Sequence, residues 1–311
     1  MKQGKINWAK IRRIFIGSNG RGIVWKLCLY AFVIIIGFVF IYPLLQMVSQ
    51  SFMSPDDIVN PLVAWIPQSF YGENYVRAVE ILNYWKSLWA SIYTSIIPAL
   101  LQMCSCSLIG YGLARFNFRG KKVIFALVLA TFIIPPQVTS IPQFLMYRDL
   151  GILYSLKAYI FPAIFGQGIK SAIFILVFFQ FFSQLPKALE EAAKVDGAGN
   201  FRIFLKIAVP TALPAYLLTF LLSLVWYWND TYMATMYFGS TIQTLPMQLS
   251  AFEATFKSLY PAAAGMNTGN TVNEAIKMAG TCLNILPLLV IYFFTQRWFM
   301  EGIDKSGITG E

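Results

Sequence analysis

The chain has 311 residues, of which 57% are hydrophobic and only 12% charged, with a formal net charge of +10 and no histidine. A soluble globular domain carries about 25% charged residues, so the apolar excess argues against a water-soluble fold and points to lipid as the solvent. The missing histidine removes the commonest general base and metal ligand. The four cysteines, Cys28, Cys104, Cys106 and Cys282, lie inside apolar segments at spacings that fit neither a disulfide framework nor a zinc site.

The basic excess begins at the N-terminus. Lys2, Lys5, Lys10, Arg12, Arg13, Arg21 and Lys26 precede the first apolar run with no acid among them, and the remainder are scattered through short loops. A membrane-proximal basic surface explains this better than a nucleic-acid groove. Within residues 5–15, Ile6, Trp8, Ile11, Ile14 and Phe15 among basic residues suit either an interfacial amphipathic helix or a solvated basic tail.

Runs without charge then mark the spans: 27–55, 87–114, 123–147, 158–186 (interrupted by Lys170 alone), 207–229 and 278–296. Each supplies the ~20 residues that cross ~30 Å of hydrocarbon at ~1.5 Å per residue. The fold class is therefore an all-α integral membrane protein with six transmembrane helices. It divides into a basic segment 1–26, a first helix with its outer loop 27–86, a five-helix core 87–300 and a tail 301–311. The first span is too long for a cleaved signal peptide and lacks a small-residue cleavage site. Seventeen of the 24 Lys and Arg residues fall in 1–26, 115–122, 187–206 and 297–311, which puts both termini and those segments in the cytoplasm.

Two outer segments are long, about 56–86 and 230–277, and the stretch 260–272 is rich in Gly and Ala and reads as a flexible loop. In the fourth span, Lys170 carries a charge that must face a cavity, a partner or the headgroups. The neighbouring Gly166 and Gly168 permit a helix break that exposes backbone groups toward a solute path. Trp226, Tyr227, Trp228 and Asn229 close the fifth span; they suit an interfacial belt, or a path on which sugar faces stack and amides meet hydroxyls. Asn284 and Pro287 in the last span and Gln102 in the second are weaker path candidates, for which inter-helix hydrogen bonding and a kink are the plainer explanations.

The loop 183–210 is the most informative stretch. Ser183 is a candidate N-cap and Pro186 suits a first helical turn. Asp196 and Gly197 break the helix-forming run that follows, and Asn200 caps a second helix. Leu185, Leu189, Ala192 and Ala193 share a face, and Glu190 and Glu191 set acid beside it, ready for Arg or Lys on a partner.

Glu191, Ala192 and Ala193, three residues, Gly197, nine residues, Ile207, one residue, then Val209 and Pro210 resembles the EAA loop of bacterial ATP-binding-cassette (ABC) importer permeases. That pattern usually has Leu where Val209 stands, a conservative departure. Residues 132–155, through Pro135, Pro136, Pro142, Leu150, Gly151 and Leu153, are similar to the third span and outer loop of carbohydrate permeases related to the maltose system. Residues 226–230 (WYWND) and 296–302 (QRWFMEG) resemble that family's Trp-Asn motif and C-terminal signature, so the likeness covers roughly 87–302. It implies a type I ABC importer permease fold in the bacterial cytoplasmic membrane, moving a sugar or oligosaccharide inward by alternating access. It also implies a second homologous permease, two ATPase subunits and an extracytoplasmic solute-binding protein.

On that resemblance, Glu190, Glu191, Ala192, Ala193, Asp196 and Gly197 dock the ATPase. Lys170, Trp226, Trp228, Asn229 and Asn284 are candidates for the translocation path. The region 252–271 matches a loop that reaches into the binding protein, with Phe256 and Tyr260 entering its cleft and Gly265 and Asn267 on the mobile part. The chain is then no enzyme and holds no cofactor or metal, ATP and Mg being bound by the partner subunits; it has no GxxxxGK[ST] phosphate loop of its own. An ABC permease for a non-sugar solute keeps the mechanism and changes the cargo. An ion-coupled secondary transporter needs titratable groups at mid-membrane, and the span interiors offer one lysine and no Asp, Glu or His.

Overall fold

The computed structural model describes residues 23–63, 65–260 and 269–305. The amphipathic stretch 5–15 and the loop positions Gly265 and Asn267 lie outside the described residues. Among those described there is no strand. In chain order the helices are α1 (Ile23–Ser51), α2 (Pro55–Val59), α3 (Glu73–Ile81), α4 (Tyr84–Arg115), α5 (Lys121–Ile133), α6 (Pro136–Asp149), α7 (Lys157–Ile164) and α8 (Ser171–Gln184). They continue as α9 (Lys187–Val195), α10 (Asn200–Ile203), a π-helical turn (Phe204–Ala208), α11 (Val209–Thr211), α12 (Leu213–Asn229), α13 (Tyr232–Phe238), α14 (Leu245–Ser250), α15 (Phe252–Leu259) and α16 (Gly269–Lys305).

Among the described residues three helices, α1, α4 and α16, are each long and apolar enough to cross a membrane unbroken, and counting each of three bent pairs as one span brings the total to six. The uncharged runs 27–55, 87–114 and 278–296 lie on unbroken helices, and 123–147, 158–186 and 207–229 on broken ones. Along α1, Ile34, Phe38 and Phe40 are 68%, 56% and 74% exposed. Such a surface would cost about 25 cal/mol per Å² in water and costs nothing against lipid tails.

Each corner has a covalent cause. Between α5 and α6 the axis turns 103° at Ile134–Pro135–Pro136. A residue before proline is pushed out of the helical region, and Pro136 then opens α6 at its first position. Between α8 and α9 the axis turns 71° at Leu185, extended because it precedes Pro186. Between α11 and α12 it turns 77° at Ala212, just before Pro214, which has no N–H to give the carbonyl four residues back.

The fourth span departs further from a simple rod. The run 158–186 is two helices, α7 and α8, parted by 165–170, where Gly166 (φ +68°) and Lys170 (φ +54°) are left-handed. The outer segment 230–277 is also more ordered than its composition suggests, since α13, α14 and α15 occupy most of 232–259.

The chain forms two compact units, one comprising residues through Tyr75 with Asn270–Cys282, the other Val76–Gly269 with the residues from Leu283 on. In the first, Asn74 Nδ2 donates to the carbonyls of Ser51 (3.0 Å) and Met53 (2.8 Å), tying the end of α1 to the start of α3. The second is built on α4 and holds two apolar cores. One gathers Ala99, Tyr147, Tyr159, Leu224, Tyr237 and Phe238; the other gathers Cys106, Leu113, Phe174, Phe178, Phe182 and Phe204. Close approach of α4 and α8 depends on Gly110, where an added Cβ would lie 2.6 Å from Phe178 Cβ.

Candidate functional site

The acidic loop folds as a helix, a sharp turn and a helix. Gly197 stands at φ +78°. Its N–H donates to the Lys194 carbonyl at 3.0 Å and that of Ala198 to the Ala193 carbonyl at 2.9 Å, the paired bonds of a Schellman end. The caps differ from the expectation. Ser183 stays inside α8 and Pro186 takes the N-cap of α9; Gly199 takes that of α10, with Asn200 as its first residue. In both places the side-chain cap is displaced because the neighbouring residue, Pro or Gly, already holds extended backbone.

The two acids of α9 part company. Glu191 is exposed, with Ala192 and Asp196, and Ala193 is half-buried. Glu190 turns inward, where its Oε1 accepts from Arg115 Nε at 2.7 Å and from Tyr111 Oη at 3.4 Å. The paired side chains are only 6% (Arg115) and 13% (Glu190) exposed. Glu190 is therefore not free to reach for a basic partner: α9 rolls so that one acid meets the end of α4 and the next faces out. The outward surface also carries Leu189 (47% exposed), Val195 (88%) and, on α10, Phe201 (68%).

At the break of the fourth span the Ile169 backbone groups are met by side chains of α4 and α12. Gln102 Nε2 donates to the Ile169 carbonyl at 2.7 Å and to Ser171 Oγ at 3.0 Å, while Ser223 Oγ donates to Gln102 Oε1 at 3.1 Å. The Ile169 N–H donates to Tyr227 Oη at 3.3 Å. Gly168 is required there, since its Cβ would stand 2.4 Å from Tyr227 Oη and 2.9 Å from Gln102 Oε1. The result is a polar knot of α4, the break and α12, in which Gln102 takes an inter-helix role.

The path candidates separate. Lys170 Nζ lies 4.4 Å above the Trp226 ring, which packs on Phe174 at 5.1 Å. Asn229, one turn on from Trp226, is exposed and donates to the Val225 carbonyl at 3.0 Å. Lys170, Trp226 and Asn229 thus share a surface. Trp228 is 2% exposed and belongs to the interior; Asn284 is 8% exposed, and among the described residues its Oδ1 has no hydrogen-bond partner.

In the outer segment Phe256 is 2% exposed, its ring 5.3 Å from that of Tyr260, whose hydroxyl bonds Glu80 at 2.5 Å. Of the two aromatics read as probes, Phe256 is packed into the fold, while Tyr260 is half-buried and tethers the end of α15 to Glu80. α15 has an apolar face, and a buried face takes the largest rings. Sequence reasoning passed over Arg115, Tyr111, Ser171 and Ser223. Arg115 offered one signal, a cation set immediately at the end of an uncharged run.

A family model described as "Binding-protein-dependent transport system inner membrane component" matches residues 106–305. The chain is 28% identical over 292 residues to the polygalacturonan/rhamnogalacturonan transport system permease protein YtcP of Bacillus subtilis (strain 168), covering 92% of this chain and 99% of that one. It is 29% identical over 279 residues to the arabinooligosaccharides transport system permease protein AraQ of Halalkalibacterium halodurans, covering 88% and 93%. A crystal structure of a bacterial ABC transporter involved in the import of the acidic polysaccharide alginate contains a chain that superposes with a TM-score of 0.74 at 22% identity, over 89% of this chain and 96% of that one.

Proposed function

Because the chain belongs to the family of binding-protein-dependent transport system inner membrane components, we propose that it is the sugar- or oligosaccharide-conducting permease subunit of an ATP-driven importer. Alternating access is driven by a separate ATPase seated on α9. The observation that carries the reading is α9 itself, a short exposed helix with Glu191, Ala192 and Val195 outward, ended by a left-handed glycine and pinned to the bundle beneath. Small alanines admit a partner surface closely, and an outward carboxylate meets a basic group on it. The saccharide assignment is supported by relatives named for polygalacturonan, rhamnogalacturonan and arabinooligosaccharides and by the alginate importer. The patch of Lys170, Trp226 and Asn229 suits it chemically, since an ammonium and an amide can meet sugar hydroxyls beside an indole.

In this assembly the chain pairs with a second permease and two ATPase subunits that bind ATP and Mg, and receives solute from an extracytoplasmic binding protein. Both termini and α9 lie in the cytoplasm of the bacterial cell. The contact segment for the binding protein starts beyond Tyr260, where Gly265 and Asn267 stand. The test uses vesicles holding the full complex. Glu191→Lys and Gly197→Pro should insert normally yet lose uptake and binding-protein-stimulated ATP hydrolysis; normal values in both would sink the docking role of α9. Single cysteines at Asn200 and Asp149, in a chain lacking the native four, should label from opposite faces of the membrane. Labelling of both from outside would overturn the orientation.

A further inference from the structure

We propose that Arg115 is a positioning residue that locks α9 to α4 and α8, so that a displacement of α9 by the ATPase moves the second span as one body with it. The inference rests on the reading of α9 as the docking element. One guanidinium serves three helices. It is the last residue of α4; its Nε donates to Glu190 Oε1 on α9 at 2.7 Å; its Nη1 donates to the carbonyls of Leu185 (3.0 Å) and Phe182 (3.4 Å) at the end of α8. Leu185 is the hinge of the 71° corner, held extended by Pro186. Without a donor from elsewhere, its carbonyl at the corner would lack a helical partner. Arg115 thus fills the open end of α8 and the inner face of α9 with one planar fork, a geometry that the single ammonium of lysine cannot reproduce.

The pin has a counterpart higher on the same helix. Gln102 lies thirteen residues before Arg115 on α4, or ~20 Å along its axis, and there gathers Ile169, Ser171 and Ser223 into the knot beside Lys170 and Trp226. Between the two points α4 and α8 touch without a gap at Gly110, where backbone meets Phe178. A push on α9 therefore meets no soft joint until it reaches the break that carries the proposed solute surface. Burial of the ion pair makes the joint stiff, because separating two desolvated charges leaves each uncompensated.

The experiment uses the complete transporter in nanodiscs, with the native cysteines replaced and spin labels at Asn117 and Lys194. The parent should give one narrow Asn117–Lys194 distance distribution. Arg115→Gln should broaden it and lower the yield of assembled complex, since Glu190 is stranded. Arg115→Gln with Glu190→Gln should restore the yield, because no charge is left unpaired, and keep the distribution broad. Glu190→Gln alone, which still accepts from Arg115 and leaves its bonds to α8 in place, should keep the distribution narrow while lowering the yield, since the guanidinium loses its counter-charge. In both Arg115 variants uptake per ATP hydrolysed should fall at least tenfold while a cysteine at Ala192 still cross-links to the ATPase. A narrow distribution in the double variant, or unchanged uptake per ATP, overturns the proposal. Failure of Ala192 to cross-link in the parent complex overturns the docking reading instead.

Discussion

Replacing Gly110 by alanine sets two well-measured effects against each other. The new Cβ would lie 2.6 Å from Phe178 Cβ, 3.0 Å from the Phe179 nitrogen and 3.1 Å from the Ile175 carbonyl oxygen. Non-bonded carbons rest at about 3.5–4.0 Å, so α4 and α8 must part by roughly 1 Å, and a gap of that size forfeits a quarter to a half of each dispersion contact. Overpacking of this kind costs about 1–3 kcal/mol. Alanine recovers about 1 kcal/mol of helix propensity, which leaves a net cost between about 0 and 2 kcal/mol, and a Cβ contact of 2.6 Å with backbone beside it sets the variant in the upper half, at about 1–2 kcal/mol; Gly110→Leu lies beyond it. Cys106 belongs to the same core and is fully buried. With Cys28, Cys104 and Cys282 replaced by serine, the rate at which a thiol reagent reaches Cys106 reports opening of that core. A loss of 1–2 kcal/mol raises the rate about 5- to 30-fold. A Gly110→Ala chain that labels at the parent rate or more slowly would show that propensity wins and that the helices do not touch there.

Gln102→Leu removes three inter-helix hydrogen bonds, each worth about 0.6 kcal/mol in a membrane, so Cys106 labelling should quicken by roughly an order of magnitude; an unaltered rate would dissolve the knot. At Gly197 the added Cβ meets open space, so the whole penalty is conformational, about 1–2 kcal/mol for alanine and less for asparagine. Uptake should fall in the order Gly, Asn, Ala, and equal uptake in all three would remove the turn from the mechanism. Lys170→Met should leave the chain assembled and slow solute uptake, while Lys170→Arg, which also stacks on indole, should preserve it. Uptake by the Met variant at the parent rate would take Lys170 off the path.

The parts legible in advance were those written in adjacent residues. Uncharged runs marked the helices because lipid tolerates little charge, and Gly197 adopts the positive φ that its place after a helix-forming run implied, whereas the corners at Pro135, Pro136 and Pro186 were not read from the sequence. What escaped depends on residues far apart in sequence. Glu190 and Arg115 are separated by 75 positions, and nothing local says which of two neighbouring glutamates rolls inward. Gly166 and Gly168 showed that a break was permitted, but nothing local showed that Gln102 and Tyr227 would satisfy its backbone. Phe256 misled because a large ring in a Gly- and Ala-rich neighbourhood suits a mobile probe as well as the buried face of a short helix.

The π-helical turn at Phe204–Ala208 holds one residue more than an α-helix would over the same rise, with the Val209 N–H reaching five residues back to the Phe204 carbonyl. Two positions later Pro210 has no N–H for the Lys206 carbonyl and would strike it in a regular helix, so the surplus residue and the proline form a matched pair. Deleting one residue here would regularise the helix and rotate all that precedes it, α9 included, by about 100° relative to α12. A lineage in this family that loses the surplus residue must therefore lose Pro210 with it or re-aim its docking surface, and the length of the stretch from Gly197 to Pro210 becomes a heritable setting of that surface's direction.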